Sequence, residues 1–81
     1  MWIRNQDRDE LVNSDRVKNI FIEKLVKLTN PKWSLIADEI TLGTYTSEGN
    51  AIEALNYIQE CICSEKKGMN MPIEVDGELK Y

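Results

Sequence analysis

One segment constrains the fold more than any other: across residues 46–68 the chain carries a helix pattern with a start signal and a stop signal. The hydroxyl of Thr46 or Ser47 can accept an amide at the N-terminus, and Glu48 suits the positive end of the helix dipole. Ala51, Ala54, Leu55, Ile58 and Ile62 then recur on one stripe. Lys66 and Lys67 suit the negative end, and Gly68 supplies the left-handed angles of a helix stop. Such a stripe needs an apolar surface to lie on.

The rest of the chain offers strands. Trp2-Ile3-Arg4 and Leu11-Val12-Asn13 flank a polar stretch and predict a hairpin, with Asn13-Ser14-Asp15 turning into the next element. Residues 17–28 read as a long strand, with Ile20 and Ile22 on one face and Phe21 and Glu23 on the other. Helical spacing fits part of the same stretch through Val17, Ile20 or Phe21, Lys24 or Leu25, and Leu28. Pro31 then breaks the chain, because it lacks an amide donor and pushes Asn30 away from helical angles. Trp33, Leu35 and Ala37 alternate as in a strand, and Asp38-Glu39 leads tightly into a further strand over residues 40–45. Within that strand Gly43 marks a bulge or a close approach to an aromatic ring. In the tail, Ile73 and Val75 alternate with acids before the turn pair Asp76-Gly77, which predicts an edge strand or a small hairpin. The expected fold is α+β: an antiparallel β-meander of four to five strands with one C-terminal amphipathic helix packed on the sheet. Residues 1–68 form the domain and residues 69–81 a tail or edge strand.

With 81 residues, 42% of them hydrophobic, the chain supports one core, and a core so small gains from self-association. The net charge of −4 argues against a general nucleic-acid binder, which neutralises phosphates with a basic face. The charge is nevertheless uneven. Lys18, Lys24, Lys27 and Lys32 cluster around Glu23, whereas residues 33–64 carry Asp38, Glu39, Glu48, Glu53 and Glu60 without a base. There is no histidine to activate a serine or cysteine nucleophile, and no phosphate-cradling glycine loop. Asp7, Asp9 and Glu10, like Asp38 and Glu39, fall in turns without the glycine and ligand spacing of a calcium loop. Cys61 and Cys63, two apart on a helix, point about 200° apart and are expected as free thiols. Catalytic, cofactor-binding and metal-binding residues are therefore all expected to be none. No apolar run approaches the ~20 residues of a membrane span, and residues 1–7 lack the basic and apolar regions of a signal peptide, so a cytoplasmic location is expected.

The candidates for partner binding are Trp2, Lys18, Phe21, Lys24 and Lys27, while Trp33 is expected to pack. The Met1-Trp2-Ile3-Arg4 opening, Leu11-Val12-Asn13, the Leu42-Gly43-Thr44-Tyr45 strand and residues 51–59 resemble small uncharacterised proteins of Gram-positive bacteria and their phages. The resemblance implies a phage or mobile-element origin and transfers no activity and no functional residues. The expectation is a non-enzymatic interaction or regulatory module whose partner is a second copy or another protein, with no membrane and no small molecule. The alternative is a ligand- or nucleic-acid-binding module that uses the lysine-rich strand face with Phe21 as a stacking surface.

Overall fold

A computed structural model describes residues 1–26 and 29–81 of the chain, so Lys27 and Leu28 lie outside the described residues. The N-terminal hairpin forms as the sequence predicts: β1 (Trp2–Arg4) pairs antiparallel with β2 (Leu11–Asn13), and Ile3 faces Val12. Asn5 shapes the connection. Its buried side chain accepts the amides of Asp9 and Glu10, each at 3.0 Å, and donates to Asp9 Oδ1 at 2.7 Å. One 3-10 turn, Ser14–Arg16, follows, and Asn13 caps it by accepting the Asp15 amide.

The second sheet is an antiparallel meander of β3 (Ile20–Leu25), β4 (Lys32–Ala37) and β5 (Ile40–Tyr45). Asp38 turns the chain between the last two at φ 55°, and its carboxylate accepts the amides of Lys18 and Asn19 at 3.2 Å each. The approach to β3 is thereby fixed against the β4–β5 turn. The expected bulge is present beside Gly43. Leu35 pairs with Gly43 and Ile36 with Thr41, so Leu42 is the extra residue, and it is buried.

The helix α1 (Glu48–Cys63) lies over the middle strand β4 and is capped by Ser47, whose hydroxyl accepts the Asn50 amide at 3.1 Å. It buries Ala51, Ala54, Ile58 and Cys61. The expected stripe is rotated, since Leu55 is only half-buried and Ile62 is 47% exposed. The stop also differs from expectation. Glu65, at φ 56°, takes the left-handed position; its amide donates to Ile62 O at 3.0 Å and that of Lys66 to Cys61 O at 3.1 Å, a Schellman motif three residues before Gly68. Gly68 serves a different purpose, because a Cβ there would stand 3.3 Å from the carbonyl oxygen of Trp2.

The reason is that Gly68 opens β6 (Gly68–Asn70), which runs parallel beside β1. The helix is thus internal, not C-terminal, and the single expected meander is instead three sheets: β2-β1-β6, β3-β4-β5 and a hairpin of β7 (Ile73–Val75) with β8 (Glu78–Lys80). Asp76 and Gly77 close that hairpin at φ 53° and 78°, the pair of positive angles a type I′ turn requires. The segment expected as a tail contributes Met69 and Met71 to the core, where they join Ile3, Val12, Leu35, Leu42, Tyr45 and Ile58.

Two substitutions check this packing. Ile58→Ala should cost about 2–5 kcal/mol in urea unfolding, whereas Ile62→Ala should stay within about 0.5 kcal/mol of the parent. Equal losses would place the buried stripe elsewhere. Glu65→Gly should raise stability by about 1 kcal/mol by relieving the left-handed residue.

Candidate interaction surface

The sheet β3-β4-β5 has two outer edges, and the chain treats them differently. Along β5, Gln6 takes the place of a neighbouring strand: its amide donates to Leu42 O at 2.7 Å, and its Oε1 accepts the Thr44 amide at 2.9 Å. Its Nε2 reaches Pro72 O at 3.4 Å, where the Tyr45 hydroxyl also donates at 2.7 Å. Arg8 Nη1 donates to Met71 O at 2.9 Å, and the Met71 amide to Arg4 O at the same distance. Gly43 permits this approach, because a Cβ on it would lie 3.1 Å from the Tyr45 hydroxyl and 3.3 Å from Gln6 Cβ. Burial, followed by the nearby charge of Glu74, pushes the Tyr45 phenol above its ordinary range.

The hairpin of β7 and β8 adds a second set of ties. Glu74 accepts the Thr46 amide at 3.0 Å and its hydroxyl at 3.1 Å, at the N-terminus of α1, and Asn50 Nδ2 donates to Gly77 O at 2.9 Å. Tyr81 meets Tyr57 edge-to-face at 4.7 Å. Its hydroxyl donates to Glu53, and that bond, followed by burial, pushes its pKa up to about 12.

Along β3 no such cover exists. The strand pairs with β4 on one side, and among the described residues its other edge has no backbone partner. Beside the N-terminal end of that edge lies a groove of about 400 Å³, lined by Val17, Lys18, Ile20, Leu55, Ile58 and Ile62 among others. Ile20 and Ile22, opposite Ala37 and Leu35, carry the half-buried apolar surface along the strand. Lys18 is the charged residue of the groove. Glu53 and Glu60 project about 200° and 140° round the helix from Leu55 at ~100° per residue, away from it.

The residues singled out from the sequence are dispersed. Trp2 is 52% exposed on the outer face of β1, where the pairing of Arg4 with Leu11 puts it beside Leu11, itself 53% exposed. Trp2, Leu11 and Lys18 share a shallow depression of about 800 Å³. Phe21 is 40% exposed opposite Ile36, on the face turned away from α1. Lys24 pairs with Trp33 on the α1 face, its Nζ 5.5 Å from the ring centroid. Strand parity therefore separates Phe21 from Lys24, while Lys32, opposite Leu25, lies on the face of Phe21. Lys27 lies outside the described residues. Leu11, Leu55 and Ile62 escaped sequence reasoning. For Leu11 the signal was present in the hairpin register, since residues opposite one another share a face.

Among the described residues, no three His, Cys, Asp or Glu side chains gather closely enough to hold a metal ion, and no helix is long and apolar enough to cross a membrane. Cys61 is buried and Cys63 exposed, both as free thiols. Comparison with protein-family models, with curated proteins and with solved structures returns no match to this chain.

The tyrosines set the alkaline limit. A phenol whose value is raised by folding contributes its full stability below the unfolded value of about 10 and loses it as pH climbs toward the folded value. The urea midpoint should hold up to about pH 10 and fall above it. Tyr45→Phe should cost about 1 kcal/mol at neutral pH through the lost bond to Pro72 O, and should flatten the alkaline decline. Parallel pH profiles for parent and variant would place the titration elsewhere.

Proposed function

We propose that the chain is a non-enzymatic interaction module that binds another polypeptide through the open edge of β3. The observation that carries this reading is the unequal treatment of the two edges. Gln6 closes β5 with both of its hydrogen-bonding directions, whereas the six residues of β3 keep one backbone side bare next to an apolar groove. A bare edge presents a row of donors and acceptors that template a further strand, and proteins ordinarily cover, twist or charge such an edge. β3 carries exposed charges at Glu23 on one face and Lys24 on the other, with Lys24 Nζ 5.5 Å from the Trp33 ring centroid, but among the described residues neither covers the backbone of the edge.

The exposed pair Trp2 and Leu11 supports the same class of function from the other sheet. The nucleic-acid reading has less support, since the net charge is −4 and Phe21 and Lys24 stand on opposite faces. A phage or mobile-element origin belongs to the proposal on sequence resemblance alone, and a cytoplasmic workplace on that resemblance together with the residue pattern of the sequence.

The test is selection of a random peptide display library on the immobilised, folded protein, with sedimentation equilibrium of the free chain alongside. Enriched peptides that slow amide exchange along β3 are the expected outcome. A strict monomer that enriches no sequence would remove the reading.

A further inference from the structure

We infer that the β3 edge takes an extended apolar peptide running antiparallel to β3, with a carboxylate at the peptide's C-terminal end held by Lys18; the inference rests on the interaction reading above and names the ligand of that edge. The direction follows from the sheet. β3, β4 and β5 are all antiparallel, and an antiparallel neighbour makes the slightly more stable ladder. The length follows from β3, whose six residues span roughly 20 Å. Every second side chain of the added strand would rise on the α1 side, beside Ile20, Leu55 and Ile62, and these positions call for apolar groups. Antiparallel pairing puts the peptide's C-terminal end at the N-terminal end of β3. Lys18 stands there, between the groove and the neighbouring depression, both of which it lines, and its ammonium has no ion-pair partner among the described residues. Asp38 is engaged with the Lys18 and Asn19 amides and lines the depression on the other side rather than the groove.

A second copy of the chain fits the same edge less well. Joining two β3 strands would put the two β4 strands three spacings apart, about 14 Å. Because α1 lies over β4, the helices would stand equally far apart, beyond the 8–10 Å at which helices pack. The groove would stay unfilled between the two helices. A single strand fits that gap.

The experiment measures fluorescence anisotropy at low salt with labelled synthetic peptides about as long as β3 that alternate valine and threonine. Five ends separate the sources of the carboxylate: aspartate with a free terminus, aspartate with a terminal amide, asparagine with a free terminus, asparagine with a terminal amide as the neutral reference, and lysine with a terminal amide. Either carboxylate should strengthen binding roughly 1.5-fold to fivefold over the asparagine amide, the range of a solvent-exposed ion pair. Lys18→Glu should reverse the order in favour of the lysine peptide, and Ile62→Ser, at an exposed position, should weaken all five by removing apolar contact. Bound peptide should slow exchange of β3 amides. Indifference to the peptide's end, or to Lys18→Glu, would overturn the inference. Protection confined to the Trp2 and Leu11 face would overturn it together with the β3 assignment of the interaction reading, whereas β3 protection that ignores the peptide's end would overturn the inference alone. Failure of every peptide together with an empty library selection would remove both.

Discussion

The double engagement of Gln6 with the edge of β5 is the constraint on which the rest of the structure depends. The three sheets are small, and two of them consist of three-residue strands that would be marginal alone. Gln6 joins all of them. It leaves the β1–β2 connection that Asn5 shapes, pairs with Leu42 and Thr44, and meets the Tyr45 hydroxyl at Pro72 O, just before β7. These polar atoms lie against core residues such as Tyr45 and Leu42, where an unmade hydrogen bond costs about 1–3 kcal/mol. Their mutual satisfaction is what lets separate short sheets share one core.

Closing β5 has a consequence on the far side of the same sheet. The N-terminal hairpin and the C-terminal segments are used up at the β5 edge and beside β1, and among the described residues none of them makes a backbone hydrogen bond to the outer edge of β3. With α1 seated over β4, the outer strand is left with its edge bare and an apolar flank formed by Leu55 and Ile62. The proposed interaction surface is in this sense the complement of the device that stabilises the fold. On this proposal main-chain hydrogen bonds and a few apolar side chains would supply a modest affinity, and one exposed lysine would supply direction.

Much of the local structure was legible in the sequence, for reasons that operate within a few residues. Ser47 caps α1, Asn13 caps the short 3-10 turn, Asp76-Gly77 closes a type I′ turn, and the alternation of Trp33, Leu35 and Ala37 marks β4. The misreadings share a cause. Gly68 carries the signature of a helix stop, yet its lack of a Cβ is used by Trp2, some 66 positions away in the chain, and the stop is made at Glu65. Ile62 fits the helix period, yet the stripe that is buried centres on Ala54, Ile58 and Cys61, because the sheet beneath determines which arc of the helix is covered.

The sequence alone determined the kinds of element and most of their ends, since caps, turns and side-chain periods are set by neighbours in the chain. Only the tertiary structure decided that the strands form three sheets, that β6 lies parallel to β1, and that β5 is closed while β3 is open. Those outcomes depend on contacts such as Gln6 with Thr44 and Pro72, which join residues 38 and 66 positions apart. No local pattern encodes them, because the free energy of each contact exists only once the other elements are in place.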